Sequence, residues 1–75
     1  MKLYGYKDED IEQTEPSKLA ETTLVASPQE LRMIAAFLEA AADNMEKMGA
    51  DYSHEHLSDK NPSFESSPRF VVARD

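Results

Sequence analysis

The residues with the clearest chemical potential are two histidines that flank an acid, His54-Glu55-His56. On a β-strand, residues two apart point to the same face, so both imidazoles could bind one metal ion. A zinc site needs at least a third ligand, and Asp51, Asp59 or Glu65 could supply it only if the chain folds back. We therefore expect no metal here. The histidines are expected on a half-exposed strand, where they bond to neighbours or water or join a binding surface.

Arrangements for nucleophilic catalysis are missing from the sequence. The chain has no Cys, no Gly-x-Ser-x-Gly turn and only two glycines, Gly5 and Gly49, which are too few for a phosphate-binding loop. Serines are frequent near the histidines, but serine is also common in loops because of its turn-forming side chain. A fold of this size seldom encloses a dry pocket. The sequence therefore predicts a protein that is not an enzyme and has no cofactor.

The excess of acidic over basic residues limits the classes of partner that the protein can bind. The 75 residues include 15 acidic and 8 basic side chains, for a formal net charge of −7. Nucleic-acid binding requires clustered Lys and Arg, and an anionic membrane would repel this chain, so we expect neither partner. An acidic surface serves solubility and also steers a basic protein partner. In the acidic run we assign such steering to Asp8, Glu9, Asp10 and Glu12.

Length and composition predict a single soluble domain over residues 1–75. The chain is too short for a second core, and the absence of Cys excludes a disulfide framework. No apolar run is long enough for a membrane span, and the first residues lack the apolar stretch of a signal peptide. We therefore expect a cytoplasmic protein. Residues 8–17 are acidic and end in Glu-Pro-Ser, which predicts an exposed loop.

One long helix is predicted from Pro28 to Met48. Ser27 and Glu30 form the Ser-x-x-Glu pattern of a capping box, and Pro28 suits the first helical position. Gly49 is a typical residue just after a helix end. Between these signals, apolar residues recur at three- and four-residue steps and form one broad stripe. Its members are Leu31, Met33, Ile34, Ala35, Phe37, Leu38, Ala41, Ala42, Met45 and Met48.

Four strands are expected around this helix. The segments 1–6, 19–26, 52–57 and 69–74 are rich in β-branched or aromatic residues or alternate between two faces. The stretch 58–68 is rich in Ser, Pro and Asn and predicts a long hairpin loop. The order β-β-α-β-β predicts an α+β fold: a small antiparallel sheet of three to four strands with the helix packed across one face.

In that arrangement one sheet face stays uncovered. It is where we expect Tyr52, His54 and His56, with Tyr4 and Tyr6 from the first strand, to be displayed. Tyr is enriched at protein interfaces and loses little entropy when it is immobilised. A small domain with an open sheet face is marginally stable alone, so self-association into a homodimer is plausible too.

The sequence also resembles a known family. The segment Leu24–Leu31, the alanine-rich helix after it and the His54-Glu55-His56-Leu57 strand look like the immunity protein 32 family of small bacterial immunity proteins. The resemblance covers about residues 19–72. It implies an α+β fold and a protein that neutralises a toxin of a polymorphic toxin system. It also implies that His54, Glu55 and His56 are characteristic positions of the family, without an assigned role.

The interpretation that follows is a non-catalytic protein-binding module, an immunity protein that inhibits a bacterial toxin. Its predicted contact residues are Tyr52, His54, Glu55, His56, Asp8 and Asp10. Two alternatives stay open at this point: a small structural or homodimeric domain of uncharacterised role, and a metal binder that uses the two histidines.

Overall fold

The computed structural model describes residues 1–7 and 18–75. Its strands and long helix follow one another in the order β-β-α-β-β, with a second, four-residue helix between the last two strands, which confirms the α+β class. The strands are β1 (Lys2–Lys7), β2 (Leu19–Val25), β3 (His54–His56) and β4 (Val71–Ala73), and the helices are α1 (Pro28–Met48) and α2 (Leu57–Lys60). Two 3-10 turns, Gly49–Asp51 and Pro62–Phe64, complete the described part of the chain. The predicted acidic loop, with Asp8 and Asp10, lies outside the described residues.

The long helix begins and ends where the sequence predicts. The Ser27 hydroxyl accepts a hydrogen bond from the Glu30 amide at 3.1 Å, and Glu30 Oε1 accepts one from the Ser27 amide at 2.9 Å, so the capping box is complete. At the other end Gly49 has φ of +57°, a conformation that favours glycine. Local signals alone therefore fix both ends of α1.

The four strands form two separate antiparallel ribbons instead of one sheet. One ribbon pairs β1 with β2 and the other pairs β3 with β4. In β2 only Leu24 is partly buried, since its other inward positions are the small or polar Ala20 and Thr22. Such a strand has too little apolar surface to join a sheet beneath the helix. The first ribbon consequently contacts the core only at the end that contains Met1 and Leu24.

Contacts of Met1 fix this end of the first ribbon. The ammonium group of Met1 lies 2.8 Å from Glu30 Oε2 and 3.5 Å from the Ser67 hydroxyl. The Met1 side chain and Leu24 pack against the core. The hydrogen bond from the ammonium group, reinforced by the Ser27 amide, lowers the pKa of Glu30 below its usual 4.5. One carboxylate thus caps α1 and anchors the first ribbon.

The core lies between α1 and the chain that follows it. Its buried cluster is Ile34, Phe37, Leu57 and Phe64, with Met33, Phe70 and Val72 packed against it. Phe37 and Phe70 meet edge to face, with ring centroids 6.4 Å apart. The segment 58–68, expected as a long hairpin loop, joins β3 to β4 but also forms most of α2 and buries Phe64. A proline-rich loop therefore supplies a core residue.

Arg74 ties the last strand to the end of α1. Its Nη2 donates to the Met45 carbonyl at 2.8 Å and its Nε donates to the Gly49 carbonyl at 3.2 Å. The Gly49 amide already donates to the Met45 carbonyl and the Tyr52 amide donates to the Gly49 carbonyl, so Arg74 adds a second hydrogen bond to each. Its positive charge is also favourable at the negative end of the helix dipole. Arg74 therefore fixes the β3–β4 ribbon along α1. No helix within residues 1–7 and 18–75 is long and apolar enough to cross a membrane.

Candidate functional site

The predicted site lies on the β3–β4 ribbon, which has two different faces. Strand β3 pairs residue by residue with β4: His54 with Ala73, Glu55 with Val72, and His56 with Val71. Side chains alternate along a strand, and directly paired residues share a face. Val72 packs on the core, so Glu55 and Val72 face α1. The outer face consequently carries both histidines.

The inner acid, Glu55, is held at both oxygens. Asn44 of α1 donates from Nδ2 to Oε1 at 3.1 Å, and the Tyr52 hydroxyl donates to Oε2 at 2.9 Å. Hydrogen bonds to a carboxylate are stronger than those between neutral groups. Glu55 is thereby fixed between the helix and the ribbon. These two bonds hold β3 against α1, and part of the Glu55 side chain still reaches solvent.

Tyr52, expected on an open sheet face, is buried. Only 6% of it is exposed, because the strand starts at His54 and Tyr52 leaves the preceding 3-10 turn toward the helix. The prediction of its exposure is therefore wrong. Burial raises the pKa of the Tyr52 hydroxyl above 10.0, and the Glu55 carboxylate raises it further. Tyr52 thus lies beneath the surface, where its hydroxyl holds the Glu55 carboxylate.

The two histidines form one compact group on the outer face. Their rings meet edge to face, with centroids 5.0 Å apart and planes at 78°. Ser53 Oγ and His54 Nδ1 are within hydrogen-bonding distance at 2.8 Å. His54 is exposed and His56 is partly buried. As the strand spacing predicts, the structure brings the imidazoles side by side.

A shallow polar cavity of about 380 Å³ adjoins His56. Its lining consists of His56, Ser58, Asp59, Glu65, Ser67 and Arg69. Acidic, basic and hydroxyl groups alternate there, as they do at the polar rim of a protein interface. Within the described part of the chain, no three side chains of the metal-binding types lie close enough together to hold a metal ion. The arrangement suits polar contacts with a macromolecule.

A second depression of about 490 Å³ lies on the other side of the ribbon, along α1. Its floor is apolar and is formed by Met33, Ala36, Phe37 and Ala40. Arg32, Asn44, Glu55, Lys60 and Asn61 surround it. Its polar groups lie at the edge of an open groove.

Two further surfaces are exposed. On the first ribbon, Tyr4 and Tyr6 lie on the same side of β1 and are 57% and 67% exposed, as expected for interface candidates. On α1, Leu31 and Leu38 are 46% and 43% exposed. The sequence assigned both leucines to the apolar stripe that packs on the sheet. The stripe is wider than the layer that covers it, so one flank remains in solvent.

Comparison with protein families gives one match. The model of immunity protein 32 matches residues 21–75, which include most of β2, the helix and the whole β3–β4 ribbon. Neither the curated proteins nor the solved structures yielded a match to the chain. The matched segment contains the histidine pair, Glu55 and the residues that hold it. Since the match spans well over half of the chain, the protein belongs to the immunity protein 32 family.

Proposed function

We propose that this protein is a non-catalytic immunity protein that binds a bacterial toxin and blocks it. Family membership over residues 21–75 supports an immunity role. The observation that carries the proposal within the molecule is the division of β3 into a fixed inner side and a free outer side. Glu55 is bound by Asn44 and Tyr52, whereas the outward histidines contact each other and Ser53.

The outer face of the β3–β4 ribbon is the proposed contact. The two imidazoles are already packed against each other, so little side-chain entropy is lost when a partner covers them. The exposed Val71 and Ala73 on β4 extend this face with apolar surface. The polar cavity beside His56 supplies hydrogen-bonding groups at the rim. A pair of packed rings surrounded by polar groups matches the general arrangement of an interface, a desolvated centre with a polar rim.

The proposed partner is a basic toxin domain. The chain carries a net charge of −7, and such a charge accelerates encounter with a positively charged protein. Asp8 and Asp10 belong to the acidic run assigned to this steering. We place the encounter in the cytoplasm of the bacterium that makes the toxin. The protein blocks the toxin by covering its surface, so it needs no catalytic group or cofactor.

Growth rescue tests this proposal. The wild-type chain serves as bait in a lysate of the producing organism, and each captured protein is then expressed in a host that lacks the bait gene. We expect one captured protein to arrest growth and co-expression of the wild-type chain to restore it. The double variant His54→Ala/His56→Ala should lose both capture and rescue.

A matched control separates the two ribbons. The variant Tyr4→Ala/Tyr6→Ala also removes two exposed aromatic side chains, but from the first ribbon. Rescue should survive in this control if the outer face of β3–β4 is the contact. If the histidine variant rescues growth as well as the wild type does, this assignment of the contact is wrong. If no captured protein is toxic, the immunity role itself is contradicted.

A further inference from the structure

One flank of α1 is apolar and exposed along four helical turns. Its residues follow one another at steps of four, three, four and three, the spacing of a coiled-coil seam. We call this set the α1 seam; it consists of Leu31, Ala35, Leu38, Ala42 and Met45. Leu31 and Leu38 are nearly half exposed, Ala35 and Ala42 are exposed, and Met45 is partly buried. The rest of the described chain therefore leaves most of the seam, from Leu31 to Ala42, open to solvent.

The seam is complementary to itself when it is reversed. Large and small side chains alternate along it, and the sequence reads nearly the same in both directions from Leu38. Two antiparallel copies related by a two-fold axis at Leu38 place Leu31 of one opposite Met45 of the other. The alanines then provide the space into which the leucines of the other helix fit.

Charges beside the seam favour the antiparallel direction. Arg32 lies near the N-terminal end of its solvent-facing border and Glu46 lies near the C-terminal end. In the antiparallel pair, Arg32 of each copy lies opposite Glu46 of the other, which gives two attractive contacts. The helix dipoles are also opposed. Glu39, near the middle of the same border, lies opposite Glu39 of the second copy and adds one repulsive contact.

We propose that the protein forms a two-fold symmetric homodimer through the α1 seam. The histidines lie on the ribbon face that is turned away from α1, so the dimer leaves the proposed toxin contact free and presents it twice. The surface area that the seam can bury is small compared with the total of about 1,200 Å² or more that is buried in stable complexes. We therefore expect reversible association and not an obligate dimer.

Sedimentation velocity tests the proposal over concentrations from about 1 µM to about 1 mM. Wild-type protein should pass from monomer to dimer within this range. Leu38→Glu places two carboxylates at the two-fold axis and should weaken the dimer at least about tenfold. Ala40→Glu adds the same charge at an exposed position on the opposite side of α1 and should leave association unchanged. A wild-type monomer throughout, or equal weakening by both variants, overturns the proposal.

Cross-linking checks the direction without relying on those variants. The chain has no Cys, so single cysteines can be introduced cleanly. Leu38→Cys should give a cross-linked dimer with a short bis-maleimide. Leu31→Cys should not, because the two copies of this position lie about 21 Å apart in the antiparallel pair. Cross-linking at both positions indicates parallel packing, cross-linking at neither indicates a different interface, and either result refutes the proposal. Glu39→Gln removes the repulsive contact and should tighten the dimer.

Discussion

The contact between Arg74 and the end of α1 gives a quantitative prediction. Arg74→Met keeps most of the side chain's length but removes both hydrogen bonds, to the Met45 and Gly49 carbonyls. Bonds from a charged donor contribute about 1.5–3 kcal/mol each when they are shielded from water. Both bonds here are exposed, so we reduce their combined contribution, with the helix-terminus term, to about 1–2 kcal/mol.

Thermal unfolding makes this loss measurable. In a domain of this length, each kcal/mol changes Tm by about 4–8 °C, so Arg74→Met should melt roughly 5–15 °C below the wild type. Arg74→Lys retains the charge but not the planar geometry that makes two hydrogen bonds, so its Tm should lie between those of the wild type and Arg74→Met. Hydrogen exchange should also accelerate in β3 and β4 more than at the start of α1, because the ribbon loses its tie to the helix.

Arg69→Met is the matched control. Arg69 is exposed just before β4, as Arg74 is just after it, and within residues 1–7 and 18–75 the Arg69 side chain makes no hydrogen bond. Its replacement causes the same change in net charge and should leave Tm nearly unchanged. The reasoning is refuted if Arg74→Met and Arg69→Met melt at the same temperature.

Three further substitutions test the core and the two perturbed pKa values. Phe64→Ala should cost about 3–5 kcal/mol, enough to unfold most of so small a domain, and circular dichroism should detect the loss of helix; a folded variant would contradict its place in the core. The lowered pKa of Glu30 means that its contribution to stability is complete above pH 4.5 and is lost as the pH falls through the folded-state pKa. Glu30→Gln should therefore lose less stability in acid than the wild type does, and equal acid unfolding curves would refute this. The raised pKa of Tyr52 has the opposite sign: its contribution is complete below pH 10.0 and is lost as the pH rises through the folded-state pKa. With the other two tyrosines replaced by Phe, the absorbance of the Tyr52 phenolate should appear with a midpoint above pH 10. Glu55→Gln should lower this titration midpoint only in part, because burial is the larger cause of the raised pKa. A midpoint at or below pH 10 would contradict the burial of Tyr52.

The sequence predicted the helix closely because its signals are local. The capping box at Ser27 and the glycine at position 49 each act within one helical turn, so no distant contact is needed to define them. The same holds for the histidine pair, whose shared face follows from the two-residue period of a strand. Those features were predicted because neighbouring residues determine them.

The features that were missed depend on contacts between distant segments. Four strand-like segments do not reveal whether they form one sheet or two, since this depends on which of them has apolar surface to bury. Tyr52 was misplaced because strand alternation was extended back beyond the start of β3 to the residue that ends the 3-10 turn, where that period does not apply. The exposure of Leu31 and Leu38 was missed because the width of an apolar stripe on a helix does not show how much of the stripe other elements cover.

The central claim is that the outer face of the β3–β4 ribbon binds and blocks a toxin. The most direct measurement is growth of a host that expresses the captured toxic protein together with the wild type, His54→Ala/His56→Ala or Tyr4→Ala/Tyr6→Ala. We expect rescue by the wild type and by the tyrosine variant, and no rescue by the histidine variant, which should melt at the same temperature as the wild type. Rescue by the histidine variant, with loss of rescue in the tyrosine variant, would contradict the claim and move the contact to the first ribbon.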